Sequence, residues 1–268
     1  MPLVCVGEIE LSYERAGSGP PLLLIMGMSG TYDHWHAGFL EDLRRDFDTI
    51  VYDHRGVGAS SRLGEGRLTI AQLAQDAAGL LDALRVDSAH VLGFSMGGMV
   101  AQELALAYPE RIRTLVLGGT YCGGEGSALM PEASLRKLTE GASSGVRARA
   151  VRAAWEVNVS PSFAADEDAY AHFLGIGLRR AVARQVIMVQ MRAIARFDTS
   201  ARLSELRLPT LVVHGTLDAM LPVQNGRMIA ELIPDSRLEI LEGIGHMFFW
   251  EQPEHSAELI RAHAAVHA

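Results

Sequence analysis

Gly93-Phe94-Ser95-Met96-Gly97 is a G-x-S-x-G motif, and its place between an apolar run and a helical stretch decides the fold of this chain. The apolar residues 89–92 predict a buried strand, and residues 98–107 predict a helix. A sharp turn between strand and helix holds the serine in strained backbone geometry, for which the flanking glycines leave room. A serine presented in this way becomes a nucleophile when a nearby base takes its proton. The motif therefore predicts a nucleophilic Ser95.

Strand-like apolar runs alternate with helical stretches over most of the chain. The predicted strands are a hairpin, residues 4–6 and 9–15, and six further runs at 21–26, 48–52, 89–92, 114–117, 209–214 and 237–241. The predicted helices cover about 36–45, 69–85, 98–107 and 224–233, and a last helix starts at Pro253. Strands that alternate with helices favour a parallel sheet with helices on both faces. The sequence therefore predicts an α/β fold with a mostly parallel, eight-stranded sheet.

The alternation stops between Cys122 and Leu203, where helical segments rich in alanine and arginine replace it. A chain of 268 residues fits one α/β domain with an insertion better than two equal domains. We therefore expect residues 1–122 and 203–268 to form the core, and residues 123–202 to form an inserted helical cap. Basic residues outnumber acidic ones in this segment, but their helical spacing is typical of a solvated helix face.

The composition excludes some kinds of partner and compartment. The 32 acidic and 24 basic residues give a net charge of −8, which disfavours binding to nucleic acids or anionic membranes. Only two cysteines are present, no run approaches the roughly 20 apolar residues that span a bilayer, and the N-terminus lacks signal-peptide features. We expect a cytoplasmic protein that binds no nucleic acid and no membrane, with its oligomeric state left open. No metal-ligand cluster or nucleotide fingerprint stands out, so no cofactor and no metal are expected.

An activated Ser95 requires a histidine within hydrogen-bond reach and a carboxylate that orients this histidine. His246 follows the strand 237–241 in a glycine-flanked loop, and Asp218 follows the strand 209–214. The carboxyl ends of parallel strands meet at one edge of the sheet, where Ser95 also emerges. Asp53 follows a strand as well, but Asp218 gives the chain order Ser, Asp, His that is usual for this kind of motif. Ser95, Asp218 and His246 are the predicted catalytic residues, with Asp53 as the rival acid.

Other histidines are expected to line the pocket, pack in the core or lie at the surface. They lie in loops that approach the same edge (His34, His36 and His54), on strands (His90 and His214) and on the terminal helix (His255, His263 and His267). None of them occupies a glycine-flanked loop after a late strand as His246 does.

Three separated motifs resemble the α/β-hydrolase family over nearly the whole chain. They are Gly93–Gly98, Asp53–Ser60 with the sequence DHRGVGAS, and Gly245-His246. The 123–202 segment also falls where members of that family insert a helical lid. The resemblance therefore implies the α/β-hydrolase fold.

The resemblance also implies an oxyanion hole formed by two backbone N–H groups. One belongs to Met96, which follows the nucleophile, and the other to Met28, in the loop after the strand 21–26. The usual His-Gly pair of this loop reads Met26-Gly27 here, so the chain departs from the family pattern at that histidine.

The motif around Ser95 is most similar to those of small esterases and 3-oxoadipate enol-lactonases. The resemblance implies a serine hydrolase that cleaves a small-molecule carboxylic ester or lactone through an acyl-enzyme with a Ser-His-Asp triad. Carbon–carbon bond hydrolases and cofactor-free haloperoxidase-type esterases have nearly the same motif and stay open as alternatives. A small-molecule receptor that retains the triad is the alternative outside the enzymes.

Substrate contacts are predicted from residue type and position alone. The candidates for an apolar pocket are Trp35, Met130, Phe248 and Trp250. Large apolar side chains near glycine loops are equally common in cores, so these residues are predicted either to line the pocket or to pack in the core. An anionic lactone requires a cationic partner, for which Arg55 and the arginines of the 123–202 segment are the candidates.

Overall fold

One twisted sheet organises the chain in the computed structural model, which describes residues 2–64 and 67–267. Within these residues the sheet has eight strands, in the order β1-β2-β4-β3-β5-β6-β7-β8. They are β1 (Leu3–Val6), β2 (Ile9–Gly17), β3 (Pro21–Ile25), β4 (Asp48–Tyr52), β5 (Ala89–Phe94), β6 (Ile112–Gly118), β7 (Thr210–Gly215) and β8 (Arg237–Leu241). The hairpin β1-β2 joins β4 in antiparallel pairing, and the pairs from β4 to β8 are parallel. The predicted mostly parallel, eight-stranded sheet is confirmed.

Ten α-helices lie in the described part of the chain. They are α1 (Ala37–Leu43), α2 (Ile70–Ala83), α3 (Met96–Ala107), α4 (Glu132–Ser143), α5 (Arg147–Asn158), α6 (Glu167–Arg179), α7 (Arg184–Ile194), α8 (Gln224–Leu232), α9 (Phe248–Glu251) and α10 (Pro253–Val266). Helix α2 begins where predicted, because the Thr69 side chain accepts a hydrogen bond from the backbone N–H of Gln72. Among these helices, none combines the length and apolar character needed to cross a membrane.

Alternate residues of the central strands supply two hydrophobic clusters, one on each face of the sheet. Leu23 and Ile25 of β3 belong to the cluster that also contains α2 and α3 residues. Leu22 and Leu24 belong to the other cluster, with residues of α1 and α10. Successive side chains of a strand point to opposite faces, so a strand buried on both faces reads as a continuous apolar run. This explains why the sequence shows β3 as an uninterrupted run rather than an alternating one.

Helices α4 to α7 all lie between β6 and β7, within the 123–202 segment. Trp155 of α5 is fully buried, and its ring lies 5.2 Å from Phe173 of α6 and 5.7 Å from Trp250 of α9. The Trp250 indole N–H in turn donates to the His34 carbonyl oxygen at 2.8 Å. An aromatic cluster therefore joins the 123–202 segment to the loop after β3 and to α9.

Candidate active site

Ser95 occupies the turn between β5 and α3 in a strained conformation, with φ 57° and ψ −122°. A side chain is rarely found in this region of φ and ψ, so the surrounding contacts have to hold it there. The Ser95 N–H donates to the Gly118 carbonyl at 2.9 Å, and the Thr120 hydroxyl donates to the Ser95 carbonyl at 2.7 Å. A Cβ on Gly97 would collide with the Ile25 carbonyl oxygen, so only glycine fits there. The turn therefore exposes the Ser95 side chain at the carboxyl end of β5.

His246 and Asp218 form a buried hydrogen-bonded pair at the same edge of the sheet. His246 Nδ1 lies 2.6 Å from Asp218 Oδ2, and both side chains are at most 1% exposed. Asp218 Oδ1 accepts from the backbone N–H groups of Met220 and Leu221, each at 2.8 Å. Since the carboxylate accepts, Nδ1 of His246 donates, and its Nε2 is left with a free lone pair. This tautomer is the one that a general base requires.

Asp218 also interacts with a second histidine, His214 of β7. His214 Nε2 lies 3.1 Å from Asp218 Oδ2 and 2.7 Å from the Leu221 carbonyl oxygen. Both neighbours are acceptors, so Nε2 carries a proton and donates. Burial alone would raise the pKa of Asp218, but the attraction and hydrogen bonds of His246 and His214 outweigh it and hold this pKa well below its usual range. The carboxylate is therefore ionised at neutral pH.

The imidazole of His246 packs beside the turn that carries Ser95. Its ring centroid lies 4.7 Å from that of Phe94, the residue before the serine. A Cβ on Gly119, just after β6, would lie 3.1 Å from His246 Nδ1. The structure thus brings the predicted nucleophile, base and acid to one edge of the sheet, at the ends of β5, β8 and β7.

The predicted oxyanion donors flank Ser95 on two sides. Met96 is the first residue of α3, where a backbone N–H has no acceptor within the helix. Met28 lies in a turn after β3 that is closed by a 3.3 Å hydrogen bond from Gly30 N–H to the Gly27 carbonyl. A Cβ on Gly27 would lie 3.0 Å from the Ser95 Cβ, so this turn touches the nucleophile directly.

Residues 26–32, which include the predicted donor Met28, are called the oxyanion loop below, and three buried side chains hold their backbone. The hydrogen bonds are His54 Nε2 to Met26 O, Ser29 N to Gln190 Oε1, and Tyr32 N to Asp53 Oδ1, each 2.9 Å long. Asp53, the rival acid, is therefore bonded to this loop, whereas Asp218 is bonded to His246. Burial raises the pKa of Asp53 to about 6, against the effect of the backbone N–H groups of Tyr32 and Ala59.

Three of the predicted pocket residues are packed in one hydrophobic cluster. Trp35, Phe248 and Trp250 are each at most 2% exposed and belong to the cluster on the α1 and α10 face. Trp35 contacts the rings of Phe94 and Phe249. Met130 is half-buried in the loop before α4. Packing is sufficient to explain the burial of the three aromatic residues.

The candidate cations for an anionic substrate are bonded elsewhere or face solvent. Arg55 forms a partly buried ion pair with Asp76, and Arg180 pairs with Asp33 at 2.6 Å. Seven other arginines of the 123–202 segment are exposed, namely Arg136, Arg147, Arg149, Arg179, Arg184, Arg192 and Arg196. This agrees with a solvated helix face rather than a cationic pocket.

The sequence interpretation gave no specific role to four residues that the structure places around the site: His214, His54, Gln190 and Glu251. Glu251 Oε1 accepts from the backbone N–H groups of Ser160 and Gly245, each at 2.9 Å. The 123–202 segment therefore contacts the His246 loop through Glu251, as it contacts the oxyanion loop through Gln190. Two of them left a signal in the sequence: His214 lies four residues before Asp218 at the end of a strand, and His54 belongs to the Asp53–Ser60 motif.

The family model described as the alpha/beta hydrolase fold matches residues 20–149 and 160–253 of the chain. The chain belongs to the α/β-hydrolase family. The resemblance stated from the sequence motifs is thereby confirmed.

Individual relatives of this α/β-hydrolase are enzymes of related chemistry. The chain is 33% identical over 267 residues to the "Putative carbamate hydrolase RutD" of Azorhizobium caulinodans, covering 97% of each chain. It is 30% identical over 258 residues to 3-oxoadipate enol-lactonase 2 of Acinetobacter baylyi, covering 94% of this chain and 93% of that protein. The crystal structure of the esterase RhEst1 from Rhodococcus sp. ECU1013 superposes with a TM-score of 0.85 at 27% identity, covering 99% and 98% of the two chains. These similarities support hydrolase activity.

Proposed function

We propose that this α/β-hydrolase cleaves small carboxylic esters or lactones through a covalent acyl-enzyme. The observation that carries the proposal is the 2.6 Å hydrogen bond between His246 and Asp218, formed beside the strained turn of Ser95. The similarity to an enol-lactonase and to an esterase supports the substrate class. A cytoplasmic location stays a prediction from the sequence.

The proposed reaction uses Ser95, His246 and Asp218 as nucleophile, base and orienting acid. Ser95 Oγ attacks the carbonyl carbon of the substrate while His246 Nε2 takes its proton, and Asp218 stabilises the resulting imidazolium. The carbonyl oxygen becomes an oxyanion that accepts from the N–H groups of Met96 and Met28, each of which stabilises it by roughly 3 kcal/mol. His246 then returns the proton to the leaving oxygen, so an acyl-enzyme remains. Water repeats the same steps to release the acid.

We further propose that the 123–202 segment acts as a cap over a core formed by residues 1–122 and 203–268. Its contacts support this role, because Gln190 bonds the oxyanion loop and Ser160 bonds Glu251 next to the His246 loop. A cap in this position selects substrates by their remote groups, while the reacting groups stay on the core.

Carbamate hydrolysis is a second candidate, since the RutD protein shares 33% of its residues with this chain over almost its full length. In both substrate classes attack by Ser95 expels the alcohol, but hydrolysis of the carbamoyl-enzyme left by a carbamate ester gives a carbamic acid that breaks down to an amine or ammonia and carbon dioxide. The two activities therefore differ in their products.

A substrate panel with matched variants tests the proposal. Wild type should hydrolyse p-nitrophenyl esters and lactones in many turnovers, and a fluorophosphonate should label one serine. Ser95→Ala should lose both properties, whereas Ser236→Ala, which lies just before β8 at the opposite edge of the sheet, should keep both. Labelling or turnover that survives Ser95→Ala contradicts the proposal. Faster release of ammonia from carbamates than of alcohol from esters favours the second candidate.

A further inference from the structure

Gln190 has one buried hydrogen-bonding group without a partner. Its side chain is fully buried on α7, and its Oε1 accepts from the Ser29 N–H at 2.9 Å. No hydrogen bond within the described residues reaches its Nε2. Gln102, which is equally buried, differs in that its Oε1 accepts from the Thr199 hydroxyl and its Nε2 donates to the Tyr121 carbonyl. Gln102 thus has hydrogen-bond partners for both amide atoms, whereas Gln190 has a partner for only one.

The orientation of the Gln190 amide follows from its partner. A backbone N–H can only donate, so the atom that faces Ser29 is the carbonyl oxygen, and the NH₂ group is turned away from it. An amide nitrogen that is buried without an acceptor destabilises the protein, so such a group requires an explanation, and a ligand that accepts its hydrogen bond provides one.

The geometry of the Gln190 amide limits the position of Nε2. Oε1 and Nε2 are attached to the same carbon, so Nε2 lies close to the turn that Oε1 contacts. In that turn Ser29 has φ 57° and directly follows Met28, the proposed oxyanion donor. The unpaired NH₂ group therefore lies close to the loop that carries the proposed oxyanion donor.

We propose that Gln190 is a specificity-determining residue whose Nε2 donates a hydrogen bond to an oxygen in the acyl group of the substrate. This inference rests on the proposed function. The acceptor is an uncharged ketone, ether or amide oxygen a few bonds from the reacting carbonyl. A neutral amide matches a neutral acceptor, and the nearby cations Arg55 and Arg180 are already paired with Asp76 and Asp33.

The expected consequence is a preference for oxygenated over plain alkyl acyl groups. A site that is built to donate a hydrogen bond disfavours an analogue without the acceptor, because the buried donor is then left unpaired. A residue that only positioned the oxyanion loop would affect both kinds of substrate equally. The ratio of the two rates separates these roles.

The test compares kcat/KM for methyl hexanoate with that for methyl 3-oxohexanoate and methyl 4-oxohexanoate. Gln190→Met removes both the donor and the acceptor for the Ser29 N–H at nearly constant shape, whereas Gln190→Glu keeps that acceptor and, as a carboxylate, has no donor. Gln185→Met is the matched control, since Gln185 is exposed on the same helix. For at least one oxo ester, we expect both Gln190 variants to lower its rate relative to the plain ester by about tenfold. The control should leave the ratio unchanged.

Equal losses for all three esters in both Gln190 variants would overturn the inference, and so would an unchanged ratio at full activity. Both results would mean that Gln190 holds the loop or that water satisfies its amide. Failure of the proposed function looks different, because wild type would then hydrolyse none of the esters or Ser95→Ala would retain the activity.

Discussion

His214 Nε2 lies 3.1 Å from Asp218 Oδ2, the same carboxylate oxygen that accepts the hydrogen bond of His246. The proposed acid is thus held from two sides by imidazole donors, and its other oxygen is held by two backbone N–H groups. An aspartate fixed in this way keeps its orientation when His246 becomes charged during the reaction.

Replacement of His214 should slow the chemical step without abolishing it. His214→Leu removes a hydrogen bond to a charged group, worth about 1.5–3 kcal/mol, so kcat for p-nitrophenyl butyrate should fall about tenfold to hundredfold. His214→Gln places an amide NH₂ near the position of Nε2 and should recover part of this loss. Equal activity of the Leu variant and wild type would show that the second donor is dispensable.

Replacement by asparagine should affect activity very differently at the two candidate acids, Asp218 and Asp53. Asp218→Asn should lower kcat on the order of 10⁴-fold, because the amide favours the wrong tautomer of His246. Asp53→Asn should have a much smaller effect, since Asp53 bonds the backbone of Tyr32 in the oxyanion loop. Steady-state kinetics of both variants, with circular dichroism to verify folding, decide the assignment. A folded but inactive Asp53→Asn next to an active Asp218→Asn would reverse it.

Asp53 should make the folded state less stable as the pH rises. Burial raises its pKa from 3.8 to about 6, so its protonated form is favoured in the folded state. The stability it contributes is complete below pH 3.8 and is lost as the pH rises through about 6. The free energy of unfolding of Asp53→Asn, measured with urea relative to wild type, should therefore increase by about 2 kcal/mol between pH 4.5 and pH 8. A constant difference across this interval would contradict the raised pKa.

Glu251 should be replaceable by glutamine but not by alanine. A glutamine carbonyl can still accept from the Ser160 and Gly245 N–H groups, and its NH₂ group can donate to the Ser160 hydroxyl, which in wild type donates to Glu251 Oε2. Alanine leaves all three groups without this partner. Glu251→Ala should lower the free energy of unfolding by about 2 kcal/mol and reduce kcat, because the His246 loop loses its anchor. Glu251→Gln should stay close to wild type in urea unfolding and in kinetics. Similar losses in both variants would point to the charge rather than to the hydrogen bonds.

The sequence predicted those features that depend on local pattern. The apolar runs predicted the strands, and the ends of these strands placed Ser95, Asp218 and His246 at one edge of the sheet. Gln190 and Ser29 are 161 residues apart, and no local pattern links them. The sequence left another question open for Trp35, Phe248 and Trp250. The same apolar residue types occur in pockets and in cores, so only their packing in the structure distinguishes the two.

The contacts of Gln190 and Ser160 bear on how substrate range changes within this family. Both residues belong to the 123–202 segment, yet their partners, Ser29 and Glu251, lie in the flanking parts of the chain. If the whole segment were replaced by that of a relative, the new segment would lack the hydrogen-bond partners that it has in the flanking parts of its own chain. Substrate range in this architecture should change more readily by single substitutions inside the segment than by exchange of the segment as a module.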